Sequence, residues 1–361
     1  MRTQIISMDE ETMDKDALAQ AGRIIKSGGL VAFPTETVYG LGGDALQEES
    51  AARIYRAKGR PSDNPLIVHI CRMEDLPALV GQVPEAAKKL AKAFWPGPLT
   101  MVFQKSEKVP RATTGGLDTV AVRMPGHKVA LAFIEAAGGY VAAPSANLSG
   151  RPSPTAAKYV KEDMDGRIEM IIDGGGDAIG LESTIVDLTA PVPVILRPGY
   201  ITKAMLQEVL GEVLVDRAIM ESDSKRPPRA PGMKYRHYAP KGELTILSGR
   251  QEIVVGEINR RTKQKQEKGE KVGVIGTEGT VADYLADSVK CAGDRKDEEA
   301  IAKALYRILR EFDEEGVTVI YSECFGDTAG DGLGQAIMNR LLKAAGHRLE
   351  DVSEVVLAKS L

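Results

Sequence analysis

The sequence is poor in the features that mark membrane, secreted and metal-binding proteins. No apolar run approaches the roughly 18 residues that a bilayer span needs. The first residues lack the basic head and apolar stretch of a signal peptide. The 361 residues include 3 cysteines, which are odd in number and widely scattered, and 4 histidines. We therefore expect no disulfide framework, no metal site built by protein side chains, and a reduced, soluble protein of the cytoplasm.

Several common catalytic signatures are also absent from the sequence. It contains no GxxxxGK[ST] phosphate loop, no GxSxG nucleophile elbow and no HExxH metal motif. The glycine-rich segment 326–334 lacks the lysine of a phosphate loop. Any chemistry must therefore come from other groupings of residues.

The charges are distributed unevenly along a chain whose net charge is −4. Residues 1–50 carry 4 basic and 9 acidic side chains, residues 51–160 carry 15 and 7, and the rest carry 28 and 35. A basic middle segment indicates a small anionic ligand or an RNA surface. Random clustering of solvated lysines explains the same count equally well.

The hydrophobic pattern predicts an α/β protein of two domains. In residues 1–212, short β-branched runs alternate with amphipathic stretches, and several strands are joined by short turns, which predicts a mixed sheet. Residues 213–241 are polar and proline-rich and read as a linker. Residues 242–361 read as a smaller α/β domain, with a helix predicted at 281–287.

Four polar segments follow predicted strands, at 34–42, 58–65, 144–155 and 180–185. Open α/β sheets bind ligands outside the carboxyl ends of their strands, so these segments are candidate site loops. Within the third of them, the Ser153–Thr155 stretch also fits a plain helix cap.

Lys58 and Arg60 are two residues apart, with glycine between them. Two cations on a rigid loop suit a triphosphate or a carboxylate, and we expect such loop cations to contribute little to stability. The alternative is an exposed helix end whose basic residues complement the helix dipole.

Two charged or titratable side chains fall inside predicted strands. Alternation along its strand places His69 on the same face as Ile67 and Cys71, which fits a satisfied structural histidine as well as a functional one. Arg123 lies in an apolar strand and must meet an anion if it is buried.

The linker carries two tyrosines, Tyr235 and Tyr238, together with prolines and a methionine. A free tether would not need such aromatic residues. We therefore expect residues 229–240 to lie across the mouth of the ligand cleft, with Tyr238 reaching a phosphate of ATP. The alternative is a spacer that packs wherever the two domains touch.

Six motifs together resemble the YrdC-type domain, over about residues 5–210. They are PTETVYGLG (34–42), KxRPxxNPL (58–66), PGPLT (96–100), TVAVRMP (119–125), APSANLSGRPSPT (143–155) and ESTIVD (182–187). The segment APGMKYRHYAP (230–240) and the domain after it resemble the two-domain L-threonylcarbamoyladenylate synthases. The resemblance implies a twisted mixed sheet around a basic concave cleft, plus a smaller Rossmann-like α/β domain.

The resemblance also implies an activity and its partners. The enzymes of this family join L-threonine, bicarbonate and ATP, with Mg²⁺ carried by the ATP, into threonylcarbamoyl-AMP and pyrophosphate. A downstream transferase then modifies the adenosine next to the anticodon in tRNAs that read ANN codons, and tRNA itself is a candidate contact. Other carbamoyl-adenylate chemistry and a noncatalytic module that binds structured RNA are the alternative functions.

Residue roles follow from the same resemblance. Lys58 and Arg60 are the expected catalytic cations. The positions expected to bind ATP are Lys58, Arg60, Asn64, Thr119, Ser145, Asn147, Ser153 and Arg197. The positions expected to bind threonine are Thr37, His69, Arg123, Ala143 (through its backbone) and Ser183.

Overall fold

The computed structural model describes residues 2–176, 179–216, 219, 238–326 and 332–354. The chain divides into two compact units. The first unit comprises Met1–Ser149 and Ser153–Tyr235, and the second comprises Gly150–Pro152 and Arg236–Leu361. None of the helices in the described ranges combines the length and the apolar character that crossing a bilayer requires.

The first unit contains seven α-helices and eleven strands among the residues described. The helices are α1 (Lys15–Lys26), α2 (Glu48–Lys58), α3 (Leu76–Leu79), α4 (Glu85–Phe94), α5 (Lys128–Ala136), α6 (Ala157–Met164) and α7 (Lys203–Leu210). The strands are β1 (Gln4–Ser7), β2 (Val31–Phe33), β3 (Gly40–Asp44), β4 (Ile67–His69), β5 (Leu99–Gln104), β6 (Thr119–Arg123), β7 (Val141–Ala143), β8 (Met170–Asp173), β9 (Thr184–Asp187), β10 (Val194–Arg197) and β11 (Leu214–Val215).

These strands form one sheet in the order β1-β8-β2-β3-β7-β4-β6-β5-β9-β10-β11. Parallel pairs such as β4–β6 and β5–β9 alternate with antiparallel pairs such as β5–β6 and β4–β7. The predicted mixed sheet is confirmed. Because neighbouring strands run in both directions, ends of both kinds meet at each edge of the sheet.

Helix α1 shows how local sequence produces these elements. The Asp14 carboxylate accepts hydrogen bonds from the first backbone N–H groups and so caps the helix. Leu18 and Ile25 on one face are buried, and the helix packs against α5. Helix spacing of apolar residues thus predicts both the element and its buried face.

Several elements of the first unit were missed by the sequence pattern. Strand β3 lies within the segment expected to be a loop, because its glycines carry no side chains from which to read a strand. An added Cβ at Gly42 would lie 2.8 Å from the Val141 side chain, so neighbouring side chains occupy that space. The short edge strand β1 and the helices α6 and α7 were also not predicted.

The predicted end of the first domain at residue 212 is wrong. Strand β11 falls inside the proposed linker, yet it pairs in parallel with β10 in the first sheet. Two residues are too few to show the alternation that identifies a strand. Most of the rest of the proposed linker, including Tyr235, lies outside the described residues.

The second unit has a smaller sheet in which every pair of neighbouring strands is parallel. Its strands are β12 (Glu243–Ser248), β13 (Val272–Gly276), β14 (Ser288–Cys291), β15 (Val319–Glu323) and β16 (Leu349–Asp351), in the order β14-β13-β15-β12-β16. Its helices are α8 (Gln251–Gln266), α9 (Glu298–Glu315) and α10 (Leu333–Ala344). This parallel sheet with helical crossovers is the predicted Rossmann-like domain.

The helix predicted at 281–287 is wrong. Residues Val281–Asp283 form a single 3₁₀ turn, and strand β14 begins at Ser288. Tyr284, just after the turn, is buried and its hydroxyl donates to Glu323 on β15. This tertiary contact outweighs the local helical pattern.

Candidate active site

A row of polar side chains crosses the first sheet. In the strand registers, His69 on β4 lies beside Arg123 on β6, and Arg123 lies opposite Thr100 on β5. Residues paired in this way project from the same face of a sheet. The Thr100 hydroxyl lies 2.7 Å from the Ser183 hydroxyl, which carries the row toward β9. All four side chains are buried.

Arg197 on β10 completes the row. Its guanidinium donates to the Ser183 hydroxyl at 3.1 Å and to the Ser183 carbonyl at 3.0 Å. Ile67 and Ala121 belong to a small apolar cluster, and they stand two residues before His69 and Arg123 on the same strands. The row therefore borders an apolar patch on this face of the sheet.

Arg123 is the charged centre of the row, and its anion is Glu36. The Arg123 guanidinium lies 2.8 Å from Oε1 of Glu36 and donates to the Thr37 hydroxyl at 2.9 Å. Oε2 of Glu36 is also buried, and it accepts no hydrogen bond from the described residues. A buried acceptor of this kind points to a donor that a ligand supplies.

His69 is held in its neutral form. Its Nδ1 lies 3.1 Å from the Ile67 carbonyl, and the Phe33 ring packs edge-on at 5.8 Å. Burial, together with the nearby Arg123 charge, lowers the pKa of His69 to about 3. A neutral imidazole can orient a substrate but does not supply positive charge near neutral pH.

Lys58 differs from its expected setting. It is the last residue of α2, is 2% exposed, and its ammonium donates to the backbone carbonyls of Ser145 (2.6 Å) and Asn147. The Ser145 hydroxyl in turn donates to the Asn147 side-chain oxygen at 2.5 Å. Lys58 thus fixes the loop after β7, so the expectation that it contributes little to stability is wrong, because buried charge-assisted bonds depend on it.

Arg60 and Asn64 occupy the loop after α2. The Arg60 guanidinium donates to the carbonyls of Asn64 (3.3 Å) and Pro65 (3.1 Å) and remains partly exposed. Oδ1 of Asn64 is buried and has no hydrogen-bond partner in the described part of the chain. This orphaned acceptor lies just before strand β4, at the end opposite to His69.

Thr119 belongs to this second group. It begins β6, whereas Arg123 ends the same strand, so the two are about 13 Å apart along it. The predicted residues therefore divide between the two ends of the strands. Arg60, Asn64 and Thr119 lie at the amino ends of β4 and β6, and His69 and Arg123 lie at the carboxyl ends.

Ala143 and Ser153 connect these groups to the remaining loops. Ala143 ends β7 opposite Ile67, and the loop that follows it carries Ser145 and Asn147. The Ser153 hydroxyl donates to the Glu182 carboxylate at 2.6 Å, next to Ser183. Ser153 and Arg197, both expected to bind ATP, thus lie on the Ser183 side of the row.

Backbone hydrogen bonds bring three of the predicted segments together. The N–H groups of residues 179 and 180 donate to the Glu36 and Thr37 carbonyls at 2.6 and 3.2 Å. Leu41 donates to the Pro144 carbonyl at 2.9 Å. The 34–42 segment therefore lies between the loop after β7 and the strand entry at Ser183.

Three residues of the site were missed from the sequence, namely Glu36, Thr100 and Glu182. Each stands inside a motif that the sequence analysis quoted. No local pattern shows that a carboxylate faces Arg123 or that Thr100 reaches Ser183, because these pairs are far apart in the chain.

Tyr238 belongs to the second unit. It is buried and its ring lies 5.2 Å from the Tyr306 ring at an interplanar angle of 34°. The expectation that Tyr238 reaches a phosphate stays a prediction. The other linker residues expected to cover the cleft, from 229 to 237, lie outside the described residues.

The first unit belongs to the Sua5–YciO–YrdC class of α/β domains. A family profile of that name, described as "Telomere recombination", matches residues 23–199. A second profile, "Threonylcarbamoyl-AMP synthase, C-terminal domain", matches residues 201–346. Together the two profiles account for most of both units.

Similar proteins extend over nearly the whole chain. The threonylcarbamoyl-AMP synthase of Pyrococcus abyssi is 50% identical over 345 residues, which cover 96% of this chain and 98% of the relative. That of Bacillus subtilis is 48% identical over 342 residues, covering 94% and 96%. The chain belongs to the threonylcarbamoyl-AMP synthase family.

A solved structure supports the same relationship. The crystal structure of P. abyssi Sua5 complexed with L-threonine is similar to this chain with a TM-score of 0.90 and 49% identity, covering 97% of this chain and all of that one. This similarity covers the mixed sheet and the parallel sheet alike.

Proposed function

We propose that this chain condenses L-threonine, bicarbonate and ATP into threonylcarbamoyl-AMP and pyrophosphate on the polar row of its first sheet. The observation that carries the proposal is the buried Arg123, which forms a charge pair with Glu36 among hydroxyl groups. The family membership and the threonine complex of a relative support the same reaction.

The charge pair matches the charges of a free amino acid. Arg123 would bind the threonine carboxylate, and the unsatisfied Oε2 of Glu36 would accept from the α-ammonium. A cation alone would admit any small carboxylate, whereas the pair favours a zwitterion. Thr37, His69, Ser183 and the backbone of Ala143 would complete the threonine site.

The remaining residues would hold ATP. Arg60 presents a partly exposed guanidinium, and Asn64 presents a buried oxygen to which none of the described residues donates a hydrogen bond. We assign Lys58 a positioning role, since its ammonium holds the loop that carries Ser145 and Asn147. Thr119, Ser153, Arg197 and Tyr238 are proposed as further ATP contacts.

The chemistry needs little covalent help from the protein. The threonine α-ammonium gives up a proton to solvent, and the free amine then adds CO₂ with loss of a second proton, or condenses with bicarbonate with release of water, to give an N-carboxylate. One oxygen of that carboxylate attacks the α-phosphorus of ATP, and the bond to pyrophosphate breaks. Positioning and charge stabilisation then account for the rate. Because the product is a mixed anhydride, water must be kept away from it.

Mg²⁺ would enter with the ATP. Ser145 and Asn147 offer neutral oxygens beside the proposed phosphate site, which suits a metal already bound to phosphate. When bound, Mg²⁺ neutralises phosphate charge. We also propose that the product passes to a tRNA-modifying transferase in the cytoplasm, and that tRNA is a candidate contact.

The test is pyrophosphate release with threonine, bicarbonate and ATP, each omitted in turn. We expect release only with all three, and a loss of at least 100-fold in Arg123→Gln, as for removal of other charge-stabilising groups. Arg111→Gln is the matched control, because Arg111 is exposed and, among the described residues, its side chain pairs with Asp118 and the Gly116 carbonyl. Release without threonine, or equal loss in both variants, would contradict the proposal.

A further inference from the structure

Thr100 is buried at the centre of the polar row, between a charged and an apolar neighbour. In the strand registers it lies opposite Arg123 on β6 and beside Ile185 on β9. Ile185 belongs to the small apolar cluster on this face of the sheet. Thr100 therefore stands where the carboxylate side and the methyl side of a bound threonine would meet.

The hydroxyls of Thr100 and Ser183 together hold two protons, of which their mutual hydrogen bond uses one. The two oxygens are 2.7 Å apart, and both side chains are 0% exposed. Arg197 donates to the Ser183 hydroxyl at 3.1 Å, so it brings a third proton and no acceptor. The second hydroxyl proton of the pair thus has no acceptor among the described residues. A fully buried donor of this kind points to an acceptor that a ligand supplies.

The charge of Arg197 sets the direction of this hydrogen-bond chain. A hydroxyl that accepts from a cation becomes a stronger donor, and hydrogen bonds that run in one direction strengthen one another. The chain therefore runs from Arg197 through Ser183 to Thr100. The proton without a protein acceptor is the one on Thr100, next to Arg123.

Thr37 cannot supply such a donor, although it also contacts Arg123. The Thr35 hydroxyl donates to the Val38 carbonyl at 2.7 Å, so in its 2.9 Å bond with Thr37 it is the acceptor. The Thr37 hydroxyl thus gives its proton to Thr35 and accepts from Arg123 at 2.9 Å. Toward a ligand, Thr37 presents a lone pair and Thr100 presents a proton.

We propose that Thr100 is a further threonine-binding residue, which donates a hydrogen bond to the side-chain hydroxyl of the substrate and so selects a β-hydroxy amino acid. The inference rests on the proposed synthase function, because it takes the amino acid to be bound at Arg123 and Glu36. A ligand hydroxyl both accepts and donates, which matches a row that offers a proton on Thr100 and a lone pair on Thr37. The methyl group of the substrate then contacts Ile185.

The test is calorimetric titration of the full chain with L-threonine, L-serine and L-α-aminobutyrate. Serine lacks only the methyl group of threonine, and α-aminobutyrate lacks only its hydroxyl. The wild type should bind threonine at least about tenfold more tightly than α-aminobutyrate, because a site built to bond a hydroxyl rejects the analogue that lacks it. Thr100→Val keeps the shape of the side chain and removes the donor, so this preference should fall at least about fivefold. The preference for threonine over serine should stay within about twofold of the wild type, since both ligands carry the hydroxyl.

Thr100→Ser is the matched control, because it keeps the hydroxyl and loses only a methyl group. Its preference for threonine over α-aminobutyrate should stay within about twofold of the wild type. A purely structural role for Thr100 would give the reverse order, since valine fills the strand position better than serine does. An unchanged preference in Thr100→Val overturns the proposal, including the case in which both ligands bind equally more weakly, as expected if Thr100 contacts the carboxylate.

The release of pyrophosphate by the wild type distinguishes this inference from the proposed function. A wild type that binds no threonine, or that releases pyrophosphate without it, contradicts both proposals. A wild type that requires threonine, together with a Thr100→Val variant that keeps the full preference over α-aminobutyrate, contradicts the role of Thr100 alone.

Discussion

The two units gather polar side chains in different ways. In the mixed sheet of the first unit, neighbouring registers set His69, Arg123 and Thr100 side by side on one face. In the parallel sheet of the second unit, the carboxyl ends share one edge, and the polar groups stand there around a cavity. The direction of the strands thus decides whether polar groups gather across a sheet face or at its edge.

The difference also affects what the buried charges do. In the first unit, Lys58 and Arg123 hold loops and neighbouring segments through side-chain bonds, so the proposed site and the stability of the fold are coupled. In the second unit, Arg295 is partly exposed and is the counter-ion of the buried Glu323 carboxylate. Substitutions at the proposed site should therefore affect folding as well as activity.

Lys58→Met should give the largest change in stability. The substitution keeps an apolar stem but leaves the carbonyls of Ser145 and Asn147 without their charged donor, at about 2–4 kcal/mol in the free energy of unfolding. Trp95, the single tryptophan, is buried in the first unit and reports on that unit's unfolding in urea. Arg60→Gln is the control and should cost less than about 1 kcal/mol, because Arg60 is partly exposed. An equal loss in the free energy of unfolding in both variants would show that the buried cation contributes no more to stability than the partly exposed one.

Glu36→Gln tests the role of the charge pair in binding threonine. Loss of a charge-assisted bond to the threonine ammonium should raise the KM for threonine about 10- to 100-fold, or about 1.5–3 kcal/mol, and leave the KM for ATP nearly unchanged. The wild type should also bind the analogue in which a hydroxyl replaces the α-amine more weakly than it binds threonine. In Glu36→Gln this preference for threonine should be smaller. An unchanged preference would show that Glu36 serves only as the counter-ion of Arg123.

His69 should make the first unit sensitive to acid. Its folded pKa, about 3, lies below the unfolded value of about 6.5, so the unfolded chain binds a proton first as the pH falls. Stability is therefore full above pH 6.5 and declines toward pH 3, by about 1–2 kcal/mol between pH 7 and pH 5. Urea unfolding followed by Trp95 fluorescence should show this decline, and His69→Gln should remove it. A decline of the same size in His69→Gln would refute the assignment.

Much of the proposed site could be predicted because its residues occur in contiguous motifs. The segments 34–42 and 143–155 stand out by composition alone, and both belong to the proposed site. The residues around the cavity of the second unit, Ser248, Gln251, Arg295 and Glu323, are single positions spread over 76 residues of chain. No local pattern connects them, so only the sheet topology brings them together.

The sequence by itself determined the α/β class, the helix faces and the polar segments of the proposed synthase site, because these depend on neighbours a few residues apart. Only the tertiary structure decided that Glu36 neutralises Arg123, and that Lys58 binds carbonyls 87 and 89 residues away. It likewise decided that Leu214–Val215 joins the first sheet and that Glu323 borders a cavity. The physical reason is that burial and electrostatic partners come from strands and loops distant in the chain, which local pattern does not encode.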